Sequence, residues 1–446
     1  MKKIILLFLF TVLLVECTIK INSKTDKTSE ETPESKAACA EKSNLETEQL
    51  LLQMLNKKDF FNLEKLLEEK MEELPKGVVL YIEAHIRNAF NQTEQSLQII
   101  DTLLNNYSNS LNDTLFLGAF KLKYDNLYKQ YRYSEAADAM KTAIDKYGYA
   151  CDDITKLQNA YNIVEPLKGL PQQKMHITSD VTIPASLNQY NHIVINISNG
   201  KQSENFMFDT GASNIVSESS AQKLGIRVLE SSATTIGAAD KKVQTKVGIA
   251  ETLWIGNLMF ENVVFKVMSD ELLTFPEADY IIHGIIGFPI INQMKKIEIR
   301  KNENITVFAY PRKRNLRNMF LYEGHLQILQ FEANNDTVLF IMDTGANVSK
   351  FSEKYFTANS IEIKDKATKN TITRAGIGGV VNSEVYDLKN VKFKIGGREL
   401  TIPKIAVLTD KLSYLENFDG HLGQDVLICF NKLILNYEDM YFTFED

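Results

Sequence analysis

Phe206-Met207-Phe208-Asp209-Thr210-Gly211-Ala212-Ser213 and Phe340-Ile341-Met342-Asp343-Thr344-Gly345-Ala346-Asn347 spell one pattern twice. In each, an apolar run ends in Asp-Thr-Gly-Ala and then a small polar residue. Working back from the first, His192–Ile197 reads as a strand with period-2 alternation, and Asn199-Gly200 as a hairpin turn. The strand Asn205–Phe208 then delivers Asp209. Working back from the second, Leu326–Phe331 is a strand, Asn334-Asn335 a turn, and Val338–Met342 the strand that delivers Asp343. One Asp-Thr-Gly would carry little weight, because turns often contain these residues. Two of them in matched settings point to a duplication.

The match continues downstream. Ile285-Ile286-Gly287 follows Asp209, and His421-Leu422-Gly423 follows Asp343. The offset between the two copies is nearly constant from the aspartates to these glycines. Ile297 and Ile299 correspond to Leu433 and Leu435 at the same offset as the glycines. Between these landmarks each half carries a Gly-bearing stretch flanked by strand-like residues: Thr235–Asp240 around Gly237, and Ala375–Val380 with Gly376, Gly378 and Gly379. These four glycines are flap candidates; the plainer alternative is two ordinary hairpin turns.

This constellation resembles the pepsin/retropepsin family of aspartic peptidases, over about Lys174 to the C-terminus. The resemblance implies an all-β bilobal acid-protease domain, with lobe 1 over 174–312 and lobe 2 over 313–446, each giving one catalytic aspartate, Asp209 and Asp343. The short halves, and the alanine after each Gly, are similar to retropepsins, so the chain reads as two retropepsin-like lobes fused. Two carboxylates a few ångströms apart cannot both ionise, so they share a proton. The ionised member takes a proton from water while the other donates to the scissile carbonyl oxygen. The expected function is therefore an aspartic endopeptidase acting on a peptide or protein substrate, with no metal and no cofactor. By the same resemblance Thr210 and Thr344 cross-link the two loops, and Gly211 and Gly345 let them approach. Ala212, Ser213, Ala346 and Asn347 complete the loops. Ala212 and Ala346 lack a hydroxyl that would stabilise the carboxylates, so the dyad is expected to titrate higher than in pepsins. His421 departs from the family, in which an aliphatic residue is usual. The competing reading is a catalytically silent peptide- or protein-binding module with a protease-like fold.

Ahead of the lobes, residues 45–170 read as all-α. Apolar residues recur at helical spacing, as in Leu63, Leu66 and Leu67, or Leu97, Ile100, Leu103 and Leu104. Three hairpins are expected, whose second helices begin at similar intervals, near Phe60, Thr93 and Tyr133. Tyr133-Ser134-Glu135-Ala136-Ala137 with Ala143 resembles the second helix of a tetratricopeptide repeat. The alternatives are a TPR-like array and an irregular helical bundle, and either could be a surface for a protein partner or only a spacer.

Lys2 and Lys3 precede an apolar run from Ile4 to Val15, and Cys17 follows. Residues 1–17 resemble a lipoprotein signal peptide with Cys17 as the lipidation candidate, although Glu16 departs from the small residue expected there. Simple export and an uncleaved anchor are the alternatives. Residues 18–44 have almost no large apolar side chain after Ile21 and read as a flexible tether. The expected location is the periplasm or cell envelope of a Gram-negative-type bacterium, with membrane contact only through the lipid. The Asn347-Val348-Ser349 sequon inside the second motif agrees with an organism that does not glycosylate its exports.

Composition excludes other classes. The 446 residues suggest about three units. A formal charge of −7, from 50 basic and 57 acidic side chains, argues against nucleic acid as a partner. Four cysteines are too few for a disulfide scaffold, and six scattered histidines do not suggest a zinc site. Cys429, in the apolar run Val426–Phe430, reads as a buried core thiol. Neither Gly-x-Ser-x-Gly nor His-Glu-x-x-His occurs. Gly376, Gly378 and Gly379 lack the strand–helix setting of a dinucleotide loop.

Overall fold

The computed structural model describes residues 5–6, 33–107, 111–236, 242–377 and 379–445. The lipidation candidate Cys17 and the rest of the expected signal's apolar core beyond residue 6 lie outside them. The chain divides into a helical unit that ends at Tyr161 and a β-rich unit that runs from Asn162.

In the helical unit, α1 spans Pro33–Asn56, α2 Phe60–Lys70, α3 Lys76–Ala89, α4 Thr93–Asn106, α5 Asp113–Lys129 and α6 Tyr133–Tyr147. Helix α1 therefore begins inside the stretch read as tether. Poverty in large apolar residues prevents that stretch from forming a core, but it does not oppose a helix. Pro33 stands at the first helical position, where its missing N–H costs nothing. Glu34, Lys36, Ala37, Ala38 and Ala40 are good helix formers.

Three connections repeat one turn. Lys58, Asn91 and Tyr131 each take a left-handed φ, of 60°, 58° and 59°. Each is followed by an N–H that reaches back along the helix it leaves: Asp59 to the Met54 carbonyl, Gln92 to Arg87 and Arg132 to Leu127. This is the Schellman pattern that satisfies the last carbonyls of a helix. A buried polar network ties α3, α4 and α5 together. Asn88 Nδ2 donates to Asp125 Oδ2 (2.7 Å) and Asn126 Oδ1 (2.9 Å). Asn126 Nδ2 donates to Ser96 Oγ (2.8 Å), which donates to the Ala84 carbonyl (2.7 Å). No helix among the described residues is long and apolar enough to cross a membrane.

The β-rich unit runs through the same elements twice. In lobe 1, the hairpin Ile193–Ser198 and Ser203–Phe208 leads to the short strand Ile215–Ser217. The long hairpin Arg227–Ile236 and Lys242–Ile255 comes next, then Leu258–Met268 and a return strand Gly284–Ile286. In lobe 2 the counterparts are Leu326–Ala333, Asp336–Met342, Lys350–Phe351, Thr368–Gly376, Gly379–Ile395, Arg398–Leu408 and Gly420–Leu422. Ile193, Ile195 and Ile197 are buried while Asn196 is exposed, which is the alternation expected of a sheet with one face on the core. The second hairpin closes through Asn334 and Asn335, both at positive φ (49° and 76°), the requirement of a type I′ turn.

The lobes share a sheet. Strand Lys296–Arg300 of lobe 1 lies antiparallel to Lys432–Asn436 of lobe 2. Ile297 pairs with Leu435, Ile299 with Leu433, and Glu298 with Ile434, its own counterpart in the repeat. A strand that pairs antiparallel with its own duplicate, centred on equivalent residues, marks a pseudo-twofold axis. The axis passes between Glu298 and Ile434.

Cys429 is exposed rather than buried. It follows the short helix Gln424–Leu427, whose inward side is taken by Val426 and Leu427, and its thiol donates to the Asp425 carbonyl (3.2 Å).

Candidate active site

Each motif strand is held on its return strand. Met207 and Phe208 run parallel to Ile285 and Ile286, and Ile341 and Met342 parallel to His421 and Leu422. The Asp209 N–H then donates to the Ile286 carbonyl (2.9 Å) and the Asp343 N–H to the Leu422 carbonyl (3.0 Å). The chain turns sharply at both points, and Asp209 and Asp343 are fully buried.

Between the lobes, the Thr210 N–H donates to Thr344 Oγ1 (3.0 Å) and the Thr344 N–H to Thr210 Oγ1 (3.2 Å). Thr344 Oγ1 donates onward to the Phe208 carbonyl (2.9 Å). The Gly211 N–H donates to Asp209 Oδ1 (2.8 Å) and the Gly345 N–H to Asp343 Oδ1 (2.7 Å). The glycines are there because the loops touch. A Cβ on Gly345 would fall 2.1 Å from Asp209 Oδ2, and one on Gly211 would fall 2.8 Å from Asp343 Cγ. The expected residues Thr210, Gly211, Thr344 and Gly345 thus join the two aspartates.

Besides the expected Ser213 and Asn347, polar residues just beyond them supply side-chain hydrogen bonds to the loops' supports. Asn214 Oδ1 accepts the Gly287 N–H (3.0 Å), and Ser349 Oγ accepts the Gly423 N–H (2.9 Å). Gln424 Nε2 adds a bond to the Thr344 carbonyl (2.8 Å). Ala212 and Ala346 contribute backbone: their carbonyls accept from Phe288 (2.8 Å) and Gln424 (2.7 Å). The expected set ends at the fifth residue of each motif. The polar side chains just past that point were the available signal.

Gly376 and Gly379 face each other at the tip of the hairpin Thr368–Gly376 and Gly379–Ile395. Ile377 at this tip is fully buried in an apolar cluster of lobe 1 that includes Met207, Ala212, Ile215 and Ile285. The lobe 2 hairpin therefore crosses over the Asp209 loop as a flap would. Gly378 and Gly237 lie outside the described residues.

His421, the departure from the family pattern, contacts a candidate catalytic group directly: its Nε2 lies 2.9 Å from Asp343 Oδ2, with both side chains fully buried. Burial, then the charge of Asp343 and a hydrogen bond with it, push the Asp209 carboxyl well above the ordinary carboxylate range. Burial pushes Asp343 up to about 6, against the pull of Asp209, the Gly345 N–H and the Lys350 ammonium. Lys350, also buried, is brought down to about 7, chiefly by burial and then by Arg374. No cluster of three or more metal-ligating side chains occurs among the described residues.

Residues 193–290 match the family model described as Aspartyl protease. No curated protein matches the chain. Among solved structures, a retropepsin-like aspartic protease from Rickettsia conorii is 21% identical, over 30% of this chain and 92% of that one, with a TM-score of 0.21. Basic 7S globulin from soybean is 10% identical, over 60% of this chain and 95% of that one, with a TM-score of 0.36. The match to the aspartyl protease model thus falls within lobe 1, and lobe 2 repeats the elements of lobe 1 in order. The chain combines a helical N-terminal region with a β-rich unit of two lobes that resembles a bilobal protease fold.

Proposed function

We propose that this protein is an aspartic endopeptidase in which Asp209 and Asp343 activate a water between them. The observation that carries the reading is the reciprocal Thr210–Thr344 pair, which holds two buried aspartate loops face to face. Each aspartate keeps one oxygen on a backbone N–H, as a group positioned for proton transfer needs. The raised carboxyls match a dyad that passes from two protons to one as Asp343 ionises at about pH 6, with Asp209 the member that keeps its proton longer. Water attacks the scissile carbonyl carbon and gives a proton to the ionised carboxylate, while the carbonyl oxygen takes the proton of the other. The flap hairpin excludes bulk water during this step and lifts to admit substrate.

The recurrence of one turn at Lys58, Asn91 and Tyr131 supports a TPR-like role for the helical unit, with a protein partner on its surface. The Lys2-Lys3, apolar run and Cys17 pattern supports a lipid-anchored envelope location.

The test is cleavage of a mixed peptide library by the full chain from pH 3 to 8, with and without pepstatin, beside Asp209→Asn and Asp343→Asn. Cleavage abolished by pepstatin and by either substitution is expected. A wild type that cleaves nothing across this range would overturn the reading.

A further inference from the structure

Ile285 and His421 hold the same place in the two lobes, each opening the short segment that ends in Gly287 or Gly423. Ile285 pairs across the sheet with Ile215, and His421 with Lys350. Lobe 1 thus puts two fully buried isoleucines beneath its aspartate, and lobe 2 puts an imidazole and a buried lysine there. The difference reaches the dyad. Asp343 Oδ1 accepts the Gly345 N–H, and its Oδ2 meets His421 Nε2. Asp209 Oδ1 accepts the Gly211 N–H, but its Oδ2 is buried without a lobe 1 donor that corresponds to His421, and faces Asp343 and the Gly345 loop of the other lobe.

The imidazole's proton can be located. His421 Nδ1 is buried with no hydrogen-bond partner among the described residues, so a neutral ring carries its proton on Nε2, facing the carboxylate. Burial and the Lys350 charge hold the ring well below its ordinary pKa and therefore neutral. Other charged groups around it come from separate elements. Lys350 lies on the short strand, Arg374 on the flap strand with its Nε on Ser383 Oγ (2.9 Å), and Asp425 on the short helix with Ser349. The Tyr414 ring stands edge-on to His421. Lys350 adds to the stabilisation of a negative Asp343, and its own charge is weakened chiefly by burial and then by Arg374, with Asp343 and Asp425 opposing.

We propose that His421 is a positioning residue that breaks the symmetry of the dyad: its Nε2–H supplies the donor that Ala346 lacks, keeps Asp343 as the carboxylate, and leaves Asp209 Oδ2 carrying the proton. The proposal rests on the peptidase reading and assigns its two roles. Asp343 takes a proton from the attacking water as the oxygen–carbon bond forms, and Asp209 gives its proton to the carbonyl oxygen. On collapse, the carbon–nitrogen bond breaks. Asp343 returns its proton to the leaving nitrogen, and Asp209 regains one from a hydroxyl of the tetrahedral diol, so one water is consumed and both carboxyls are restored.

The experiment compares the full-length wild type with His421→Ile, which copies lobe 1, and His421→Gln, which retains an N–H donor. Two readouts are taken: the pH profile of kcat/KM, and the 13C carboxyl titrations of Asp209 and Asp343, assigned with the single Asn variants. In the wild type Asp343 is expected to ionise at lower pH than Asp209. In His421→Ile the acidic limb should move up by about one pH unit, the loss of one charge-assisted hydrogen bond, and the two titrations should converge. His421→Gln should stay within a few tenths of a unit of wild type. A folded His421→Ile with an unmoved limb and unmoved titrations would overturn the proposal, as would a Gln variant that behaves like Ile. Should His421→Ile not fold, Ile285→His gives lobe 1 the same donor. It should draw the Asp209 titration down toward that of Asp343, and an unchanged gap would refute the role. If the wild type cleaves nothing, the peptidase reading falls, while the carboxyl titrations still decide what His421 does.

Discussion

Thr210 and Thr344, one from each lobe, each donate a backbone N–H to the other's Oγ1. The bond pair is isologous, as a twofold relation requires. Thr344→Val keeps the volume and removes both the acceptor for the Thr210 N–H and the donor to the Phe208 carbonyl. Two buried backbone groups lose partners, which costs about 2–4 kcal/mol. A lower urea midpoint and a kcat/KM reduced roughly 100-fold are expected, the second because the dyad spacing is no longer held. Urea melts and peptide cleavage measure both.

Gly345→Ala forces a methyl group to within 2.1 Å of Asp209 Oδ2, closer than any real contact. The loops must separate. Retained far-UV circular dichroism with kcat/KM lowered by about 100-fold or more is expected. Activity near wild type would show that the loops do not meet in solution.

Stability should fall as pH rises across the dyad's range. Burial raises both folded-state carboxyl pKa values, so the folded chain binds protons more tightly than the unfolded one. This contribution is fully present below the unfolded value near 4 and declines as pH rises through about 6, the value for Asp343. Asp209→Asn removes one of the two titrations. Its denaturant midpoint should fall less between pH 4 and 7, and at pH 7 its stability should exceed that of the wild type. Parallel midpoints across this range would contradict the buried, interacting pair.

Ile377 anchors the tip of the long lobe 2 hairpin on lobe 1. Its side chain is fully buried against lobe 1 residues. Ile377→Ser loses that apolar anchor. Faster amide exchange along the hairpin Thr368–Gly376 and Gly379–Ile395 is expected, with kcat/KM lowered roughly ten-fold. Hydrogen exchange unchanged in this hairpin would rule out the anchor.

Asn126 stands at the centre of the helical unit's polar network. Asn126→Ala leaves Asn88 and Ser96 short of a buried partner, a loss of about 2–3 kcal/mol. A lower thermal midpoint of the helical unit checks this, and replacement of an exposed polar residue such as Gln98 provides the comparison.

Much of this architecture was legible in the chain because it is local and repeated. An apolar strand ending in Asp-Thr-Gly-Ala, written twice, carries its own turn chemistry. The constant offset that relates Ile297 to Leu433 and Ile299 to Leu435 reappears as the register of the shared sheet. The helices that start at Phe60, Thr93 and Tyr133 follow from apolar spacing at the helical period. What stayed hidden depends on neighbours distant in sequence. Asn214 and Ser349 support the loops only because the glycines that end the return segments, Gly287 and Gly423, come to rest on them. Cys429 sits in an apolar run, yet a one-turn helix rotates it to solvent. His421 looked like a misfit in an apolar-apolar-Gly segment. Its meaning depends on a parallel strand pairing that sets it beside Asp343, far back in the chain, and on the antiparallel pairing with Lys350. Sequence alone determined that there are two aspartate loops in two related lobes, since strand period and turn chemistry are properties of short segments. Only the tertiary structure decided that the lobes are electrically unlike, because a carboxyl's charge is set by the buried groups packed against it.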